Sequence, residues 1–203
     1  MLLCNLYHAN PSLDLFRDFE ALHQDLLDDK AFPNGEMELH ILQSPLQQMN
    51  NPSRSTLTSG LGRLLDSASA LLGRNYFRSY RGEPAMRFEG LAWGTVPERH
   101  QNLENYIRNN RILGDKLLYD YAVKAYAKDH QSTKPAIRRQ LARNFHEDIA
   151  QLFANSAINV AQSKGTKMIG VSGGVAYNEL IISAIKSRIE DAGLIFLQHE
   201  RIP

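Results

Sequence analysis

One stretch near the carboxyl end constrains this chain more than any other. After Lys167, a short apolar run from Met168 to Val171 reads as a buried parallel strand. The run breaks on Ser172, Gly173 and Gly174. Beyond the break, Tyr177, Leu180, Ile181, Ala184, Ile185 and Ile189 fall at helical spacing, and Leu194 to Leu197 reads as a second strand. Strand, glycine turn, helix and strand together have the size of a βαβ crossover, roughly 30 residues. The turn falls at the carboxyl end of the first strand, where open parallel sheets bind ligands. Glycines there let a ligand approach bare backbone N–H groups, and a helix N-terminus behind them favours an anion. On these residues alone two readings stay open: a nucleotide phosphate site, or a tight turn that needs glycine for its own dihedral angles.

Two parallel strands are too few to bury both faces of a sheet, and little else in the chain reads as strand. The expected fold is therefore α/β and helix-rich, with a sheet that is incomplete in this chain. The missing neighbours would come from a longer form of the protein, a split gene or a partner chain. The 203 residues suggest one domain, 1–203, large enough to bury a core. Residues 1–133 form a mainly helical portion, and 134–203 a long helix followed by the βαβ unit. A net charge of +1 provides no global field toward nucleic acid or membrane, so neither is expected as a partner. The single cysteine, Cys4, excludes an internal disulfide framework and fits a reducing cytoplasm. It reads as a small packing residue. No apolar run approaches the roughly 18 residues of a membrane span. The opening Met1-Leu2-Leu3-Cys4 lacks the basic start of a signal peptide.

The helical portion reads in order as follows. Leu13, Phe16, Phe19, Leu22, Leu26 and Leu27 give an apolar face from a cap at Ser12 to about Asp29. A turn at Phe32 to Gly35 leads to a helix from Glu36 to Asn50, then a loop to Ser53. The next helix buries Leu61, Leu64, Leu65, Ala68, Leu71 and Leu72, with Thr58 or Ser59 as cap and Gly73 as its stop. Asp66 lies one turn beyond Gly62 on the same face. It is either an acceptor for ribose hydroxyls or an exposed helix acid. Arg63 either reaches an anion or pairs with an acid. Ser79 to Glu89 is a loop entering a helix, with Pro84 in its first turn. Leu91 to Val96 is a short strand or a helix tail around Trp93. Helices follow at about 100–112 and 115–128. The longest runs from Pro135 to about Ser163 and buries Ile137, Leu141, Phe145, Ile149, Leu152, Phe153 and Ile158. His146 on that helix reads as packing. No HExxH, HxxxH or CxxC spacing offers a metal site, and no serine triad stands out.

Four stretches, in order, resemble one family. Thr58 to Gly73 resembles the TSSxGRLFDAVAALLG pattern of the hydrogenase-maturation carbamoyltransferases, HypF. Tyr80 to Glu89 is similar to their YEGEAAMxLE. Ala142 to His146 looks like their AxxFH helix, and Val171 to Asn178 resembles LSGGVFxN. The resemblance covers essentially the whole chain and implies the carboxyl-terminal part of HypF. That part has an ASKHA-type, ribonuclease-H-like fold shared with the threonylcarbamoyl-adenosine transferases of tRNA modification. It implies binding of ATP or an acyl-adenylate and transfer of carbamoyl from carbamoyl-adenylate to the carboxyl-terminal cysteine of a HypE-like acceptor. The product is a precursor of the cyanide ligands of NiFe hydrogenase. By motif, Ser172, Gly173 and Gly174 would face phosphate, and Asn178 would help to hold the nucleotide. Gly62 and Asp66 would lie at the ribose, and Gly82 and Glu83 would line the adenosine side. The family's metal-holding HxxxH pair would lie before Met1, and its PxNDGG acid would begin at Pro203. A metal ion would therefore bind only through residues outside this chain. The acylphosphatase-like, zinc-finger and YrdC-like domains of the family have no counterpart here. Leu65 replaces the phenylalanine of GRLFD. Three functions compete: part of an enzyme, a non-catalytic split or degenerate subunit docked on a partner that supplies the metal half, and a sugar- or acetate-kinase-like lobe of the same superfold. The GRLLD and YRGEPAM stretches favour the first two.

Overall fold

A computed structural model describes residues 2–13, 18, 19, 22, 58–98, 102–126 and 134–199. The chain divides into two compact units, Met1–Phe88 with Gly114–Arg138, and Glu89–Leu113 with Arg139–Pro203. The expected turn at 32–35, helix at 36–50 and loop at 50–53 lie outside the described residues, as does most of the helix expected from Ser12 to Asp29.

Among the described residues, the elements of the first unit are helices. Helix α1, Leu2–Ala9, occupies a segment that the apolar periodicity did not assign. Leu2 and Leu6, one turn apart, are its buried anchors, whereas Cys4 is half-buried. The Ser12 N–H donates to the Asn10 side chain in a short turn, and the N–H groups that Ser12 is expected to cap lie outside the described residues. Helix α2, Leu61–Leu71, forms where the leucine spacing predicts. Its N-cap is Gly60, and no side chain caps it; the Thr58 hydroxyl instead accepts from the Gly60 N–H in the preceding turn. Its end is a Schellman arrangement. Gly73, at φ +64°, donates to Ala70 and Arg74 donates to Ser69, so the last carbonyls are satisfied. Helix α3, Glu83–Ala92, starts one residue before Pro84 and passes into the second unit after Phe88; Leu91 and Ala92 are its tail, not a strand. Helix α4, Gly114–Tyr126, presents Leu117, Leu118, Tyr121, Ala122 and Ala125 to the core. Helices α1, α2 and α4 pack pairwise. The Tyr126 hydroxyl donates to the Leu71 carbonyl at 2.8 Å, and the Asn5 amide to the Ser67 hydroxyl at 2.8 Å.

The second unit holds both sheets. Where a helix is expected at 100–112, the chain makes a short 3-10 turn, Leu103–Tyr106, and a two-residue hairpin, β1 (Ile107–Arg108) with β2 (Arg111–Ile112). Asn109 and Asn110 both have positive φ, as a tight hairpin turn requires, and asparagine tolerates this better than most residues. Helix α5, Pro135–Lys164, matches the expected long helix and ends at Gly165 with φ +66°. Its buried positions are not those of a single apolar stripe. Phe153 is exposed, while Asn144, His146 and Asp148 are buried beside Phe145 and Ile149. The middle turns are covered on several sides, so small and polar residues are enclosed as well. Strands β3, Met168–Val171, and β4, Ile195–Gln198, pair in parallel, Met168 opposite Ile195 and Gly170 opposite Leu197. Helix α6, Glu179–Asp191, connects them and buries Ile181, Ile182, Ile185 and Ile189. The expected βαβ unit is therefore present, with one correction. Tyr177 is not in the helix; it ends a separate 3-10 turn, Gly174–Tyr177, and is exposed.

Candidate functional site

Of the residues assigned by sequence, Gly62, Asp66, Gly82 and Glu83 belong to the first unit, and Ser172, Gly173, Gly174 and Asn178 to the second.

In the first unit, α2 carries Gly62 and Arg63 in its first turn and Asp66 one turn on. Arg63 Nη2 lies 2.8 Å from Asp66 Oδ2. The Asp66 side chain is only 12% exposed, so it is not a solvated helix acid. Its second oxygen, Oδ1, is buried with no hydrogen-bond partner among the described residues. Burial raises the Asp66 pKa, with Arg63 and Arg78 opposing the rise. A half-satisfied buried carboxylate of this kind is a strong acceptor for any hydroxyl that reaches it. The loop before α3 is held by Glu83. Its Oε2 accepts from the Ser79 N–H at 2.6 Å and the Ser79 hydroxyl at 2.8 Å, and Oε1 pairs with Arg87 at 2.8 Å. The backbone bond from Ser79 leads in pulling the Glu83 pKa down, followed by the hydroxyl bond; Arg87 adds to both. Gly82 completes the turn at φ +91°, a conformation other L-residues rarely adopt. The Glu83 carboxylate is therefore engaged in fixing the loop.

In the second unit, the break after β3 has the geometry of an open backbone site. Gly173 sits at φ +98° and ψ 174°, a region populated almost only by glycine. A Cβ added at Gly173 or Gly174 would meet nothing within 4 Å. No acceptor among the described residues takes the backbone N–H of Gly174 or Val175. Successive unclaimed N–H groups of this kind form an anion-binding concavity. The helix behind them differs from expectation. Asn178 is the N-cap of α6, its side chain accepting from the Ile181 N–H at 3.0 Å. The Glu179 and Leu180 N–H groups donate to Glu89 Oε1 at 2.7 and 3.4 Å. Burial raises the Glu89 pKa, and these two bonds oppose the rise. The first donors of α6 thus already hold a carboxylate from the chain itself, leaving the 3-10 turn as the open face.

Two residues here carry signals that the sequence reading passed over. Glu89 was legible only as the last acid of the YRGEPAMRFE stretch. His199 follows β4, and its ring meets Tyr177 edge-on at 5.1 Å, beside the glycine turn. Nearby, Gln198 donates to the Ala176 carbonyl at 2.7 Å and ties the end of β4 to the 3-10 turn. His146 has the packing role expected of it. It is fully buried, its Nδ1 lies 2.7 Å from the Ala142 carbonyl, and burial lowers its pKa to about 4, so it is neutral near pH 7. Among the described residues no three His, Cys, Asp or Glu side chains are grouped to hold a metal ion, and no helix is long and apolar enough to cross a membrane.

An α/β, helix-rich chain with a glycine turn at the end of a parallel strand is a fold shared with solved carbamoyltransferases. The crystal structure of HypF from T. kodakarensis superposes with a TM-score of 0.69 and 26% identity, over 88% of this chain and 22% of that one. A full-length HypF in its phosphate- and nucleotide-bound form gives 0.67 and 18%, over 88% and 23%. Residues 14–203 match the family model described as the carbamoyltransferase Kae1-like domain, second subdomain, and the chain belongs to this HypF family. Among curated relatives, the probable carbamoyltransferase HypF of Methanocaldococcus jannaschii is 31% identical over 171 residues, covering 83% of this chain. HypF of Synechocystis is 24% identical over 172 residues, covering 84%. The chain spans about a fifth of the length of these relatives, 20% and 21% respectively.

Proposed function

We propose that this chain supplies nucleotide contacts to a HypF-type carbamoyltransferase, which transfers carbamoyl from carbamoyl-adenylate to the carboxyl-terminal cysteine of a HypE-like acceptor. The observation that carries the reading is the open turn at Gly173 and Gly174, with unclaimed backbone N–H groups and no atoms above them. Family membership supports it. In this reading the turn, with Ser172 beside it, takes phosphate, and Asn178 fixes the backbone by capping α6. Asp66 accepts from ribose hydroxyls while Arg63 and Arg78 oppose the rise in its pKa that burial causes. Gly62 lies beside it on α2, and Glu83 and Gly82 shape the adenosine-side loop. The fold is then ASKHA-type, ribonuclease-H-like, with further strands beside β3 and β4. A two-stranded parallel sheet supports that extension, and the half-exposed row of Met168, Ile195 and Leu197 on one face calls for a covering layer. In this reading any metal ion in the reaction binds through residues outside this chain. A cytoplasmic setting and a role in hydrogenase maturation follow from the same reading.

The test is calorimetric titration of ATP into the protein and into Asp66→Ala and Gly174→Val. Removing Asp66 deletes one or two charge-assisted bonds, each about 1.5–3 kcal/mol, so affinity falls roughly tenfold or more. The Cβ of Val at Gly174 meets nothing within 4 Å, so in a variant that folds normally a loss of affinity reports on ligand approach. Unchanged affinity in both folded variants would show that α2 and the turn serve the fold alone.

A further inference from the structure

We propose that the cavity lined by Arg63, Arg78 and Arg81 in the first unit is a binding site for a phosphoryl oxyanion. This cavity is an open depression of about 490 Å³, lined among the described residues by these three arginines with Ser79 and Tyr80, all exposed except the half-buried Arg63. That volume is in the range of small-ligand clefts. Its charge is unbalanced. Asp66 neutralises Arg63 at 2.8 Å, and Arg78 is close enough to act on the same carboxylate. Among the described residues neither Arg78 nor Arg81 has a carboxylate of its own within pairing distance; the neighbouring acid, Glu83, is taken by Arg87 and Ser79. Among the described residues, three guanidinium groups against one carboxylate leave a local surplus of two positive charges around one recess. Like charges gathered so repel unless an anion joins them, and a guanidinium offers the two-pronged donor that phosphate oxygens accept.

The loop is built to hold this arrangement. Ser79 is fixed by both its N–H and its hydroxyl to the Glu83 carboxylate, and Gly82 sets the turn at φ +91°. Arg78 and Arg81 therefore flank a pinned segment, while Arg63 is presented by the rigid α2. Tyr80, 52% exposed between them, adds an aromatic face and a hydroxyl to the recess. The occupant is thus a compact polyanion of the pyrophosphate class. Two sources share that chemistry: the phosphate chain of a nucleotide, and free inorganic pyrophosphate or phosphate.

The experiment is calorimetric titration of the full chain with inorganic pyrophosphate, orthophosphate, ATP and uncharged adenosine, at low and at physiological salt. The proteins are wild type, Arg78→Ala, Arg81→Ala, and Arg139→Ala as a control with the same loss of charge. Pyrophosphate binding that weakens tenfold or more in each cavity variant, weakens with salt and is unchanged in Arg139→Ala supports the proposal. Within that result, ATP binding tighter than pyrophosphate names the nucleotide as source, and equal affinities name the free anion. No pyrophosphate binding by wild type at low salt, or the same affinity in both cavity variants, overturns it. Displacement of pyrophosphate by an oligoglutamate peptide that binds more tightly also overturns it, because the recess would then be a docking site for an acidic segment of a protein. The outcome is separable from the nucleotide reading: if Asp66→Ala and Gly174→Val leave ATP affinity unchanged while the arginine variants lose pyrophosphate, only that reading fails.

Discussion

Gly173→Ala and Gly174→Ala differ by one position and should move stability in opposite directions. Neither added methyl meets an atom within 4 Å, so packing contributes nothing to either change. The difference lies in the backbone. Gly173 holds φ +98° with ψ 174°, where a residue with a Cβ is strained by about 1–3 kcal/mol. Both substitutions also stiffen the unfolded chain, which stabilises by about 0.4–1 kcal/mol where the native angles allow. Gly174 is not among the positive-φ glycines, so it keeps that gain. The net expectation is a loss of about 1–2 kcal/mol for Gly173→Ala and no loss, or a small gain, for Gly174→Ala. At about 2–4 °C per kcal/mol for a chain of this size, the first should melt roughly 2–8 °C lower. The assay is urea and thermal unfolding followed by the fluorescence of Trp93, the single tryptophan, which belongs to the same unit as the turn. Equal losses for the two variants, or a larger one at Gly174, would refute the assignment of the strain to Gly173.

Asn178→Ala removes the side chain that accepts from Ile181 and should destabilise by about 1 kcal/mol, while Asn178→Ser should restore most of this; thermal melts in which Ser is no better than Ala would remove the capping role. His146 is held neutral by burial with its pKa at about 4, below its ordinary 6.5, so the unfolded chain binds the extra proton first as pH falls. Its contribution is intact above about pH 6.5 and is lost progressively toward pH 4, about 1.4 kcal/mol per pH unit and about 3 kcal/mol in all. His146→Leu should flatten this part of the urea-midpoint profile, and parallel profiles for wild type and variant would contradict it.

The parts legible in the sequence are those where one local signal had no competitor. The leucine spacing from 61 to 72 ends on a glycine, and α2 ends there in a Schellman turn. The apolar run from Met168, the glycine break and the second run from Ile195 pair as parallel strands. Misreadings arise where two signals overlap. The segment 103–112 has enough apolar residues for a helical face, but Asn109-Asn110 is itself a hairpin turn signal, and turn chemistry prevailed over a short periodicity. Phe153 fits the helical stripe of α5 yet is exposed, because the middle of that helix is enclosed on several sides and the stripe no longer defines its buried face.

The candidate site divides along the same line. Its glycines were legible because positive φ and close approach both select glycine, although which of the two adjacent residues carries the strain was not. Its acids were not legible as partners. Asp66 lies one helical turn from Gly62 whether it faces solvent or the interior, and only the folded chain shows one oxygen on Arg63 and the other buried. Glu83 and Glu89 are six residues apart in one motif and do different things: Glu83 fixes the loop before α3, and Glu89 occupies the first N–H groups of α6. The second contact bears directly on where an anion can go. A helix N-terminus already holding a carboxylate has little left to offer a phosphate, since a second anion there would repel the first. In the proposed reading a phosphate beside β3 would therefore rely on the backbone N–H groups of Gly174 and Val175, which have no acceptor among the described residues.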